Sequence, residues 1–378
     1  MTLYIHIPFC KKACHYCDFH FSTTLTKKNE MVNAICLELI LRKNEILEPI
    51  ETIYLGGGTP SLLDQVELEL IFKTIYSNYS VLENAEVTLE ANPDDLTLDK
   101  IITLSKSKIN RLSIGIQSFD DNDLLLMNRV HQSKDAIESL QNAQKYFKNI
   151  SIDLIYGMPY STLQDWQKNI EMALSFNIPH ISCYALTVEP QTALEKMIET
   201  QKITPISDEI AHKQFMFLIE ILEKNGFIHY EMSNFGKEGF FSQNNTAYWT
   251  GKKYLGIGPS AHSFDQIKRS WNIANNLLYI KKINDGILPQ EFEILTQKDL
   301  YNEYLMTSLR TMKGISLAKI SKDFGTEILN QLIKNAQKYL DLNLLIIEND
   351  FLKTTNKGKF LLDGIISDLF LLHLEPKK

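Results

Sequence analysis

The chain has 378 residues, 44% hydrophobic and 22% charged, enough for one large domain and a smaller one and ordinary for a protein that buries a core. A net charge of −7 argues against a broad phosphate-binding surface, so no nucleic-acid partner is expected. No uncharged apolar run of about 18 residues occurs, and MTLYIHIPFC lacks the regions of a signal peptide, so neither a membrane span nor a secreted protein is expected.

In chain order, strand-like segments fall at Leu3–Ile7, Thr52–Leu55, Glu86–Glu90, Arg111–Ile116, Ser151–Tyr156 and His180–Thr187. Helical patterns lie near 28–48, 64–78, 97–107, 133–147, 163–176 and 207–225. Several strands read as nearly continuous apolar segments, as expected when helices cover a parallel sheet. The alternation predicts an α/β fold, and six repeats point to a partial, open (β/α)6 barrel rather than a closed eightfold one. Residues 236–262, rich in Gly, Asn, Ser and aromatics, read as a long functional loop. From about 297 the chain turns helical and ends in a predicted hairpin with its turn at Asn349–Asp350, a winged-helix-like unit without a dense basic recognition helix. The expected organisation is therefore 1–235, then 236–296 as a linker, then 297–378.

Of five cysteines, three fall within eight positions, in CKKACHYC directly after the first strand. A secreted disulfide framework would use an even number in a short chain, so a reducing, cytoplasmic compartment is expected. Cys36 and Cys183 stand in apolar contexts and read as buried thiols. Soft thiolates select zinc, copper(I) or iron–sulfur centres. A closed zinc site needs a fourth ligand, and although His15 and His20 are near, no second knuckle follows. Four cysteines normally hold a [4Fe–4S] cluster; Cys10, Cys14 and Cys17 would leave one iron open to a ligand.

The C-x3-C-x2-C spacing, with YIHIPFC and CHYCDF around it, resembles the radical-SAM superfamily and within it the HemN/HemW group. The likeness runs along nearly the whole chain. It implies a [4Fe–4S] cluster whose open iron is chelated by S-adenosylmethionine (SAM), with reductive cleavage to a 5′-deoxyadenosyl radical and a flavodoxin- or ferredoxin-like reductant.

GGGTPSLL at Gly56–Leu63 reads either as a tight turn with Thr59 or Ser61 capping the next helix, or as bare backbone that lets a ligand approach. By resemblance, Gly57, Gly58 and Thr59 belong to the element that binds the cofactor's methionine amino group. Glu90 reads as a solvated strand end or, by resemblance, as a contact to the methionyl or ribose part; Gln117 holds the matching place after the fourth strand. Arg129 reads as a surface cation or as a contact to the cofactor carboxylate. Asp153 is a carboxylate inside an apolar strand, costly unless satisfied, and by resemblance bonds the ribose. Tyr4, Tyr16 and Ala185 match further cofactor-contacting places, or are core.

The coproporphyrinogen dehydrogenase branch continues the motif as C-x3-C-x2-C-x-C, whereas Phe19 stands at that last position here. The sequence is therefore more similar to the branch regarded as haem chaperones, which bind haem and pass it to acceptor proteins; the tract His229–Phe235 agrees. In QNNTAYWTG the family usually carries a histidine where this chain has Asn244, a poor iron ligand, while Asn245, Tyr248 and Trp249 are retained. Tyr248 and Trp249 serve equally as a porphyrin platform or as packing. His262 in GIGPSAHSF is a candidate axial ligand or a histidine bonded beside a Gly-rich turn. Oxidative decarboxylation of coproporphyrinogen III is the competing expectation.

Overall fold

The computed structural model describes residues 1–372; the last six residues of the expected 297–378 unit lie outside the described residues. Six strands run parallel and in chain order: β1 (Thr2–Ile7), β2 (Ile50–Gly57), β3 (Val81–Ala91), β4 (Arg111–Gln117), β5 (Asn149–Tyr156) and β6 (His180–Ala185). Helices at Lys28–Leu41, Gln65–Asn78, Leu98–Ser105, Ser133–Ala143, Leu163–Ser175 and Asp208–Lys224 follow them. Each starts where the chemistry favours it. Asp64 and Glu67 form a capping box, as do Thr162 and Asp165, and the hydroxyls of Thr97 and Ser207 each accept a first-turn N–H.

The sheet is wider than six strands. On one side β7 (Ile228–Glu231) and β8 (Asn234–Gly236) join β6 through an antiparallel pairing. On the other, β9 (Tyr254–Ile257) lies parallel to β1, so β1 sits between β2 and β9, and antiparallel β10 (His262–Phe264), β11 (Lys268–Asn272) and β12 (Gln290–Ile294) continue outward. Residues 236–262, expected as loop, thus contain the helix Gln243–Trp249 and β9. Pairing with β1 and burial of Leu255 and Ile257 override the loop-like composition.

The strands are not apolar on both faces, as expected from sequence. One face carries Leu3, Ile5, Ile53, Leu55, Leu89, Leu112, Ile114, Ile152 and Ile181, all fully buried against the helices. The alternate positions are Tyr4, His6, Tyr54, Thr88, Glu90, Arg111, Ser113, Ser151, Asp153, His180 and Ser182. A strand places successive side chains on opposite faces, so this polar set lines the concave inside of the open barrel.

Beyond the barrel, helices Gln297–Leu309, Leu317–Phe324, Thr326–Asp341 and Leu362–Leu369 surround a second apolar cluster. They pack with a small sheet of β13 (Ile315–Ser316), β14 (Leu345–Glu348) and β15 (Phe351–Thr354), in the order β13-β15-β14. The predicted hairpin turn is there: Asn349 and Asp350 both have positive φ, 50° and 66°, the conformation a two-residue hairpin demands. The unit meets the barrel where the Met232 N–H donates to the Arg310 carbonyl and the Met312 N–H to that of Tyr230.

Candidate cluster and cofactor site

The three cysteines lie on the loop after β1, at the carboxyl ends of the parallel strands. Anchors along its length hold this loop. The Cys10 N–H donates to Ser22 O, the His15 N–H to Met127 O, the Asn128 amide to Ala13 O at 2.7 Å, and Lys11 pairs with Asp94 at 2.7 Å and with Asp95. Both nearby histidines are engaged elsewhere: His15 Nδ1 lies 2.8 Å from Leu126 O, and His20 Nε2 lies 2.7 Å from Asn276 Oδ1. Among the described residues no three His, Cys, Asp or Glu side chains converge on one metal-ion position. A cubane asks for something wider, one thiolate at each of three separate irons. Burial, with the neighbouring Cys14 and Cys10 thiols adding to it against the Phe19 N–H, pushes the Cys17 thiol up to about 11. Loading iron must therefore displace protons.

The Gly-rich turn after β2 lies against this loop. Gly57 has φ +103°, and a Cβ there would meet His6 Nδ1 at 2.4 Å; one on Gly58 would meet Phe9 O at 2.6 Å. Only glycine fits either place. Thr59 and Ser61 do not cap the following helix; Asp64 does. Thr59 Oγ1 instead approaches Cys10 Sγ at 3.4 Å and accepts from Asn92 Nδ2 at 3.2 Å, while the Ser61 hydroxyl donates to Asp95 at 2.7 Å.

Glu90 is not a solvated strand end. Its carboxylate accepts from the Tyr54 hydroxyl at 2.7 Å and the Gly57 N–H at 3.1 Å, and burial raises it to about 7. Asp153 is likewise raised to about 6 by burial, against the lowering contacts of Ser182, Arg111 and Ser113. Arg129 is no surface cation. It reaches Cys14 Sγ at 3.5 Å, Asn92 Oδ1 at 2.7 Å and Gly115 O at 3.0 Å, while its buried Nε has no partner. Gln117 ends β4 with φ 67°, an uncommon conformation for a side chain other than glycine, at a local shift in register with β5. Tyr16 packs on Leu124, Met127, Ile155 and Met158, and the Tyr4 hydroxyl lies 3.1 Å from His6 Nδ1. Ala185 is exposed at the end of β6.

The fold brings the two outlying candidates to different places. Asn244 is buried below the strands, where its amide oxygen accepts from Thr52 and its N–H donates to Glu86, both at 3.1 Å. His262 is exposed on β10, with its ring 6.0 Å from that of Trp271. Phe264 pairs with Tyr254 and Gly256 with Tyr4, so His262 stands opposite Gly256 and extends the row of Tyr4 and Tyr54 along the same face. Tyr248 packs 4.5 Å from Tyr254. Sequence reasoning missed Tyr54, Asn92 and Arg111; the signal was a polar residue at every second position of each strand.

Residues 4–173 match the Radical SAM superfamily model and residues 295–361 the HemN C-terminal domain. The protein named "Heme chaperone HemW" of Bacillus subtilis is 33% identical over 332 residues, covering 86% of this chain and 88% of that protein. Its namesake in Buchnera aphidicola subsp. Acyrthosiphon pisum is 34% identical over 389 residues, with 98% of each covered. The chain belongs to the HemW family. Within the solved structures, coproporphyrinogen III oxidase (HemN) from Escherichia coli superposes with TM-score 0.83 at 22% identity, covering 98% of this chain and 89% of that one, a likeness of fold. As a radical-SAM protein this HemW-family chain uses a [4Fe–4S] cluster and SAM, and its residues fit both. Three thiols share one anchored loop, a glycine cradle adjoins them, and Arg129 Nε is buried with no partner among the described residues. No helix among the described residues is long and apolar enough to cross a membrane.

Proposed function

We propose that this protein binds haem and hands it to an acceptor protein, with a SAM-bearing [4Fe–4S] cluster at the mouth of its barrel. The observation that carries this reading is similarity to proteins named heme chaperones along 98% of the chain. Cys10, Cys14 and Cys17 would hold the cluster. Gly57, Gly58 and Thr59 would receive the amino end of SAM, Arg129 its carboxylate, and Glu90, Gln117 and Asp153 its methionyl and ribose parts, with Tyr4, Tyr16 and Ala185 around it. When bound, the cluster supplies an electron and an open iron. The chain's own work is to exclude water and fix the cofactor. His262 would meet a porphyrin; Asn244, committed to Thr52 and Glu86, would play a structural part.

In this reading residues 1–235 carry the cofactors, 236–296 contact the porphyrin and 297–378 form the C-terminal unit; the protein works in the cytoplasm with a flavodoxin- or ferredoxin-like reductant. Anaerobic reconstitution followed by two assays on one sample tests it. Haem titration by absorbance should saturate, while coproporphyrinogen III with SAM and reductant should remain unconverted. Decarboxylation at ordinary enzymatic rates overturns the chaperone reading in favour of the dehydrogenase.

A further inference from the structure

Among the described residues, one cation inside the barrel has no ion-pair partner. Arg111, the first residue of β4, is 2% exposed, and its Nε is buried without a hydrogen bond. Among the described residues no carboxylate forms an ion pair with it; Glu90 and Asp153 feel its charge only from a distance. Arg42, equally buried, is the contrast: it donates to Glu38, Glu45, the Gly256 carbonyl and Ser263. A buried charge normally has such company.

Two neighbours share the deficit. Thr88 pairs in register with Arg111, and Arg111 with Asn149, so the three side chains stand side by side on one face. Thr88 Oγ1 and Asn149 Oδ1 are also buried without partners, making this one row the source of three of the six such atoms among the described residues. A guanidinium fork, a hydroxyl and an amide that can present its NH2 form a donor set for a carboxylate. The same row continues through Tyr54 to Tyr4, whose rings stack 6.1 Å apart. It is therefore aromatic at one end and cationic at the other. The cofactor carboxylate has its own candidate in Arg129 at the mouth.

We infer that Arg111, with Thr88 and Asn149, is the binding site for a carboxylate arm of the ligand the barrel encloses. This deepens the haem reading and rests on it: the arm is a propionate, and the planar ring lies toward the tyrosines. The test uses the anaerobically reconstituted full chain, titrated with haem and with haem dimethyl ester, in which both carboxylates are masked. The native protein should prefer haem by roughly tenfold or more. Arg111→Gln should bind both at the ester's affinity. Asn149→Asp, which sets an internal carboxylate beside Arg111, should lose the preference too and melt at a higher temperature, which keeps the test open where Arg111→Gln fails to fold. The SAM-induced change in the spin-resonance spectrum of the reduced cluster should persist in both variants. Equal affinity for haem and ester in the native protein, or a preference that survives in Asn149→Asp, overturns the assignment and leaves a row occupied by water. Free propionate separates the two ideas: if it raises the melting temperature of the native protein but not of Asn149→Asp while haem fails to bind, the carboxylate site stands and the haem reading falls.

Discussion

The two faces of the same six strands differ as two proteins would. Outward, Leu3, Ile53, Leu89, Leu112, Ile152 and Ile181 are fully buried under helices, and nothing there can do chemistry. Inward, at the alternate positions, stand Tyr4, Tyr54, Glu90, Arg111, Asp153 and Ser182, and burial pushes the Glu90 and Asp153 carboxyls toward their protonated form. Stability comes from the first face and reactivity from the second. Because the period is two, each residue belongs to one role only, and the roles should separate under mutation.

The sharpest test lies at the mouth. Cys14→Ser should abolish the brown chromophore and the iron and sulfide content altogether while far-ultraviolet dichroism stays native; full iron and sulfide would sink the ligand assignment. Next comes the outward face, where Ile53→Ala should cost about 2–4 kcal/mol in urea unfolding, as buried aliphatic truncations do, yet leave cluster content per folded molecule unchanged. A cluster lost together with that methyl packing would mean the faces are not independent.

The inward face should give a pH dependence of its own. Glu90 is raised from an ordinary value of 4.5 to about 7 and Asp153 from 3.8 to about 6, so the folded cofactor-free chain keeps protons that the unfolded chain releases. The stability these two carboxyls contribute is full below about pH 4 and is lost as pH rises through 6 and 7, with a slope of up to about 1.4 kcal/mol per unit for each. Urea midpoints at pH 5 and 7.5 should show the fall, and Glu90→Gln should flatten it; a slope unchanged in that variant would contradict the burial of Glu90. The smallest effect is expected at Phe19, which is 65% exposed: Phe19→Ser should shift stability by less than about 0.5 kcal/mol. A larger loss would place Phe19 in the packing.

The sequence made the six parallel strands and their helices legible because strand–helix alternation is a local signal, although the cap of the second helix is Asp64 and not Thr59 or Ser61. The cysteine loop and the Asn349–Asp350 turn were legible for the same reason. Residues 236–262 were not, since β9 exists only by pairing with β1, about 250 residues away. The inward polar set was half visible. Asp153 stood out within an apolar run, whereas Arg111 passed as an ordinary strand start, and only the register with Thr88 and Asn149 makes it conspicuous. Asn244 stands where the family usually carries a histidine, but its partners, Thr52 and Glu86, lie far off in the chain.

The seat of β1 between β2 and β9 has a consequence for biogenesis. Thr2 pairs with Thr52 on one side and Tyr254 on the other. At a translation rate of 5–20 residues per second, roughly 10–40 s separate emergence of the two partners from the ribosome. Through that interval β1 shows a bare edge of amide and carbonyl groups, the kind that invites another chain to add itself. The cysteines just beyond it lie open on that side until β9 arrives.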